Sequence, residues 1–196
     1  MMTADYIKRL FILLLTVLPV YTLLRAIVRK GHGGGRGAGK GFWLRETVMA
    51  LFFSFMAVLL FFTLLDGFQP KAGIFSQGAA RIRSGEKINL IPFRTIGECF
   101  ENMGLDRFLI NILGNIIMFV PWGFSLPFLW EKFRSLPRMA ALSLALPLFI
   151  ETAQIFVGRT VDVDDVILNF LGGFLGAWMY VQGKEFVRCF GQSRRP

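Results

Sequence analysis

The stretch FLINILGNIIMFVPWGFSLPFLW, residues 108–130, runs through 23 positions without a charged side chain. A helix rises about 1.5 Å per residue, so one of this length reaches about 35 Å and can cross a hydrocarbon core of about 30 Å. In lipid the backbone amides have only one another as partners, so a spanning run must be helical. Four more apolar runs lie on either side of it. They are 10–28, broken only by Arg25; 47–65, uncharged; 139–157, with Glu151 as its one charge; and 166–182, uncharged. Pro19, Pro121, Pro127 and Pro147 fall inside these runs and mark places where a helix can kink. Composition agrees. The chain has 196 residues, of which 54% are apolar, 15% aromatic and only 18% charged, where soluble domains carry about 25% charge. A chain this short has too little interior to hide so much apolar surface from water. The same figures exclude intrinsic disorder and a collagen-like fibre, and two cysteines exclude a disulfide-rich scaffold.

The net charge of +9 would suggest nucleic acid if the basic residues were spread over a soluble surface. Here they are segregated from the apolar runs, which favours basic cytoplasmic loops and argues against a nucleic-acid partner. Arg29, Lys30, Arg36, Lys40 and Arg45 follow the first run. Lys132, Arg134 and Arg138 follow the third, and Lys184, Arg188, Arg194 and Arg195 follow the fifth. With these inside, the N-terminus lies outside, the C-terminus is cytoplasmic and the protein is a multi-pass component of the cell membrane. Trp43, Trp130 and Trp178 then fall near the inner interface. Lys8 and Arg9 ahead of the first run resemble the start of a signal peptide. The length of that run, its Arg25 and the lack of a clear small-residue cleavage site favour an uncleaved helix.

The expected architecture is an all-α integral membrane protein: a five-helix transmembrane bundle with a short interfacial helix in the long outer loop. Residues 1–28 form the first span, 29–45 a basic glycine-rich cytoplasmic linker, 46–182 a four-helix membrane domain and 183–196 a basic tail. The linker reads GHGGGRGAGKG at 31–41. Gly34, Gly39 and Lys40 match most of a phosphate-binding loop, but Gly41 stands where Ser or Thr is required and no strand precedes it. A flexible segment lying against anionic lipid fits better. His32 is the only histidine, which excludes a histidine-based triad. Cys99 and Cys189 fall on opposite sides of the membrane in this topology and cannot pair within one chain.

Polar side chains inside the runs say more than apolar ones, because burying them in lipid is costly without a partner. Asn111 and Asn115 share one helix face at i,i+4, and Glu151 and Gln154 are spaced i,i+3. Asp165, Asn169, Gly172 and Gly176 form one stripe on the last run. Asn115, Glu151 and Asn169 all sit about 5–10 Å below the outer ends of their runs, beside the short turn 158–165. One outward-facing polar pocket of Asn115, Glu151, Gln154, Arg159, Asp162, Asp165 and Asn169 explains the set. An ion pair of Glu151 with Arg159 is the structural alternative. Asp162, Asp164 and Asp165 repel one another unless a cation intervenes, and oxygen ligands suit Mg²⁺ or Ca²⁺. These acids also suit a helix N-terminus electrostatically, so no cofactor is required. In the outer segment 66–107, Thr95 and Glu98 fit a capping box, with Ile96, Phe100 and Met103 following on one face. Asn89, Pro92, Phe93 and Arg94 would cover the pocket, with Leu90 and Ile91 dipping towards lipid.

Taken together, NLIPF at 89–93, NILGNIIMFVPWGF at 111–124, IETAQ at 150–154 and GRTVDVDDVILNFLGGFLG at 158–176 resemble the VanZ-like membrane protein family. The resemblance covers about 45–182, with Phe170 standing where a small or hydroxyl residue would be expected. It implies a link to resistance against the lipoglycopeptide teicoplanin. The residues themselves admit three functions. The first is non-enzymatic binding of an envelope lipid, lipid-linked ligand or lipoglycopeptide at the outer pocket. The second is a metal-assisted enzyme acting on a lipid-linked phosphate or sugar, with Glu151 as base. The third is a small transporter component, which the lack of an inverted repeat disfavours. The first is the preferred expectation.

Overall fold

A computed structural model of the chain describes residues 2–31, 40–65, 74–85 and 87–192. Most of the glycine-rich linker, with His32, and the tail residues Arg194 and Arg195 lie outside the described residues, as does the stretch 66–73. The elements in chain order are α1 (Met2–Gly31), α2 (Lys40–Leu60, closing in a π turn at Phe61–Leu65), α3 (Ile74–Ser84), β1 (Ile88–Asn89), α4 (Arg94–Asn102), α5 (Leu105–Leu129), α6 (Leu136–Val157), β2 (Val161–Asp162) and α7 (Val163–Gln192). Among the described residues, four helices are long and apolar enough to cross a membrane: Phe42–Leu65, Leu105–Leu129, Leu136–Val157 and Val163–Lys184. The first of the five expected spans corresponds to α1, which is continuous through Pro19 and within which, among the described residues, Leu15–Ile27 is apolar.

The contacts divide the chain after Phe62. In the first unit α1 packs on α2. Arg25, which looked like an isolated charge in an apolar run, meets Glu46: Nη2 lies 2.7 Å from Oε1, and Nε donates to Oε2 at 3.0 Å. This forked geometry neutralises both groups and holds the two helices in one register. The rings of Tyr21 and Phe53 meet at 5.6 Å on the same pair.

The second unit is built on α5 and α7. A Cβ on Gly172 would overlap the carbonyl oxygen of Ile116, one on Gly176 that of Val120, and one on Gly123 that of Gly173. The helices therefore touch backbone to backbone, which only small residues allow. α6 packs alongside, with Trp122 Nε1 donating to the Leu142 carbonyl at 3.2 Å. Phe119, Leu126, Met139, Ile150, Leu168 and Ala177 fill the interior. Ile110, Ile117, Phe149 and Trp178 remain exposed on the outer faces, as expected where lipid is the solvent.

The long segment after α2 holds more structure than its polarity suggests. α3 docks on the C-terminal end of α6, where Gly78 lies against the Phe156 ring and Arg81 Nη1 donates to the Ile155 carbonyl at 3.3 Å. Gly158 closes α6 at φ 90°, a left-handed conformation that leaves no room for a side chain beside Arg81. β1 and β2 then pair in parallel, Ile88 opposite Val161 and Asn89 opposite Asp162.

The close approach of α5 and α7 sets a stability expectation. Gly172→Ala should destabilise the protein by about 1–3 kcal/mol, the cost of overpacking a tight contact. Gly114→Ala, with nothing within 4 Å of the new methyl group, should be neutral or stabilise by up to about 1 kcal/mol. Thermal unfolding of the two variants in one detergent compares them directly, and equal melting points would mean that the helices do not depend on that approach.

Candidate functional site

Helix N-termini carry backbone N–H groups that have no partner inside the helix. At α4 these donors are satisfied from the far side of the fold. Asp164, 1% exposed, accepts the Phe93 N–H on Oδ1 and the Ile96 N–H on Oδ2, the latter at 3.0 Å. The expected capping box of Thr95 and Glu98 does not form. α4 begins at Arg94, Phe93 at its N-cap takes the left-handed φ of 65°, and no local side chain caps the helix. Thr95 Oγ1 instead accepts from Asn89 Nδ2 at 3.0 Å, and Glu98 pairs with Arg94 at 2.9 Å.

The rest of the cluster is built on the same principle, with carboxylates accepting from backbone and amide donors. Asn89 Nδ2 also donates to Asp162 Oδ1 at 3.1 Å, while Asn89 Oδ1 accepts the Ile91 N–H at 3.1 Å. Asp162 Oδ1 takes the Asp164 N–H at 2.9 Å, the local turn that aims Asp164 at α4. The Asp162 N–H in turn donates to Glu151 Oε2 at 2.9 Å. Gln154 completes the set. With its amide nitrogen turned towards Glu151, it donates to the two carboxylate oxygens at 3.2 and 3.1 Å and to the Thr160 carbonyl at 3.2 Å. The opposite orientation gives that nitrogen one bond, to the Thr63 carbonyl at 3.3 Å. We assign the first, because a carboxylate is the stronger acceptor and more bonds form. On the α5 side, Asn115 Nδ2 donates to Asp165 Oδ1 at 3.1 Å.

The structure thus gathers Asn89, Asn115, Glu151, Gln154, Asp162 and Asp165 at one end of the second unit. Asn169 stands one helical turn along α7 from Asp165. It is 6% exposed, and among the described residues its Oδ1 meets no donor. Arg159 is exposed on the turn, its backbone N–H donating to the Gln154 carbonyl at 3.1 Å. Pro92, Phe93 and Arg94 cover the cluster with their backbone, while their side chains are exposed. Asn111 turns to Cys99, Nδ2 to Sγ at 3.7 Å.

The spacing of Asp162, Asp164 and Asp165 suggested a shared Mg²⁺ or Ca²⁺ site. In the structure the three meet different partners: Asp162 the Asn89 amide, Asp164 the backbone N–H groups of Phe93 and Ile96, and Asp165 the Asn115 amide of α5. Among the described residues no three His, Cys, Asp or Glu side chains gather as ligands for one ion. Sequence reasoning also missed Thr95 as an acceptor and Ser143, which is fully buried against Gly173. Asp164 as the cap of a distant helix had no local signal at all.

Asp164→Ala should leave the N–H groups of Phe93 and Ile96 without a buried acceptor, at a cost of about 1–3 kcal/mol. Hydrogen exchange at these amides should accelerate accordingly, and Asp164→Asn, which keeps one carbonyl oxygen, should lose less. Unchanged protection in the alanine variant would mean that the carboxylate does not hold the loop.

The VanZ/LLP1 family matches residues 51–187, a span that contains the whole cluster. Protein VanZ of Enterococcus faecium is 35% identical over 94 residues, which is 47% of this chain and 52% of that protein. The chain thus spans about half the length of this curated relative. No solved structure matches the chain. With a family match over most of its length and the blocks of the cluster inside it, the chain belongs to the VanZ/LLP1 family.

Proposed function

We propose that this membrane protein binds an amphiphilic lipid or lipopeptide of the cell envelope at the end where 88–96 meets 151–169, and that this end faces outwards. The observation that carries the reading is a set of apolar side chains held out from the polar cluster. Leu90 is 72% exposed, Ile91 59%, Phe93 64% and Phe100 67%. Each is worth about 1.5–3 kcal/mol when removed from water. They stand on or beside a segment fastened by part-buried hydrogen bonds, from Asn89 to Asp162 of β2 and from the Phe93 and Ile96 N–H groups to Asp164 of α7. A fixed row of apolar side chains next to a buried polar cluster suits an interface where acyl chains meet headgroups. The exposed Lys132, between α5 and α6, and Arg138, in the first turn of α6, lie at the opposite ends of those helices, which supports placing that end in the cytoplasm. A lipoglycopeptide of the teicoplanin kind joins an acyl chain to a polar body. That is the combination this end would take, and it accords with the resistance implied by the family.

The triple variant Leu90→Ser, Ile91→Ser, Phe93→Ser should fold, because these side chains are exposed. In native mass spectrometry from detergent it should retain less co-purified lipid than the wild type. In cells it should lose any teicoplanin tolerance that the wild type confers. Full retention of both would overturn the reading. Orientation is tested separately, because Cys99 is buried and a poor reporter. With both native cysteines replaced by serine, a cysteine at the exposed Thr160 should react with an impermeant maleimide in whole cells, and one at Lys132 should not. The reverse pattern would invert the topology.

A further inference from the structure

α5 and α7 run parallel, and their closest approach is the glycine contact, where side chains at Gly172 and Gly176 would strike the Ile116 and Val120 carbonyls. Gly183 lies two turns beyond Gly176 on the same face of α7. A Cβ there would meet nothing within 4 Å, so α5, which ends at Leu129, no longer covers that face. The space left is a groove of about 330 Å³, lined by Phe124 and Phe128 of α5 and by Tyr180, Gly183 and Lys184 of α7. Phe124 and Phe128 stand one turn apart on one helix, and Tyr180 and Lys184 one turn apart on the other. The rings support one another: Phe124 stacks with Phe128 at 6.2 Å and meets Tyr180 edge-on at 6.1 Å. The groove is thus aromatic, with Lys184 as its one charged lining residue.

We propose that this groove holds an acyl chain of an anionic phospholipid from the leaflet at the basic end, with the lipid phosphate on Lys184 Nζ. Lys184 closes the stretch Val163–Lys184 that is apolar enough to span a membrane. It stands one turn, about 6 Å by helical rise, beyond Tyr180. The ammonium group therefore lies at headgroup level and the rings at the level of the tails. Charge at this end favours an anion. Among the described side chains of the second unit here, Lys132, Arg134, Arg138 and Lys184 stand against one acid, Glu131, and Arg134 holds that acid at 2.6 Å. Lys184 is exposed and has no acidic partner among the described side chains. Beyond it the sequence adds Arg188, Arg194 and Arg195 against the single acid Glu185. Basic pockets between membrane helices take anionic headgroups for this reason. The groove lies at the far end of the unit from the loop 88–96, so the proposal does not rest on lipid binding there.

The test is native mass spectrometry of the full-length protein released from nanodiscs that hold equal amounts of phosphatidylglycerol and phosphatidylcholine with the same acyl chains. The wild type should retain phosphatidylglycerol by about fivefold over phosphatidylcholine, the effect of one basic residue on an anionic headgroup. Lys184→Gln should remove that preference and Lys184→Arg should keep it. Lys132→Gln, at the same end but outside the groove, should leave it unchanged. Gly183→Leu, which puts a side chain into the groove, should lower retention of both lipids. Gly183 and Lys184 are exposed, so these variants should fold, and the wild-type comparison decides even if one does not. No preference in the wild type, or no retention of either lipid, would overturn the proposal. Equal losses in Lys184→Gln and Lys132→Gln would replace the site with a diffuse attraction of the whole basic end. Unchanged retention in Gly183→Leu would remove the groove as the acyl site. Displacement of phosphatidylglycerol by free glycerol 3-phosphate would make a soluble phosphate, not a lipid, the occupant. A dimer that Gly183→Leu dissolves would make a second copy of the chain the occupant, and would equally overturn the proposal.

Discussion

A buried carboxylate that accepts two backbone N–H groups from a distant loop is the interaction on which the polar end of this molecule depends. Asp164 cannot be left unpaired in a place where neither water nor lipid reaches it. The loop, for its part, cannot leave the start of α4 unsatisfied. Each requirement answers the other, and the result ties 93–96 to the first turn of α7. The parallel pairing of Ile88–Asn89 with Val161–Asp162 and the Asn89–Asp162 bond extend the same seam. The apolar side chains of the loop are outward because its backbone is fixed inward.

That seam is only as rigid as the helices beneath it. α7 approaches α5 so closely that side chains at Gly172 and Gly176 would strike main-chain oxygens. In a bilayer no hydrophobic force draws helices together, so contact of this kind and buried polar pairs must do so. Asn115 with Asp165 stands one step above the glycine contact and uses the second device. Small residues and polar residues on α7 thus serve one purpose at successive depths: they hold α5 and α7 at a fixed distance, and with it the spacing of the acidic groups.

The two ends of the second unit differ in charge. Acids concentrate where α6 turns into α7, and basic residues lie between α5 and α6 and beyond the apolar part of α7. The basic end has the composition of a cytoplasmic face. The acidic end is too heavily hydrogen-bonded to be a chance surface cluster, since its carboxylates are met by backbone and amide donors across separate segments. The VanZ/LLP1 match at residues 51–187 contains the whole of this fastening and its apolar-edged loop.

Chain chemistry alone determined the apolar character of the surroundings, the long helices and much of the membership of the polar cluster. Uncharged runs long enough to cross a bilayer can only be helices there, so α2, α5, α6 and α7 were legible from composition and length. The cost of burying Glu151, Asn115 and Asn169 marked them before any fold was known. The Arg25–Glu46 pair was not legible, because its members lie 21 residues apart on two helices whose register the sequence does not state. Nor was α3, whose helical stretch is polar and derives its place from the end of α6. The three neighbouring aspartates looked like ligands for one cation, since spacing along a chain records proximity but not direction. Tertiary structure decided that direction. It brought a loop about 70 residues away against Asp164, whose oxygens accept its backbone N–H groups, and turned Asp162 to the Asn89 amide and Asp165 to the Asn115 amide. Local patterns name which groups need partners, and only the packing of distant segments decides which partners they get.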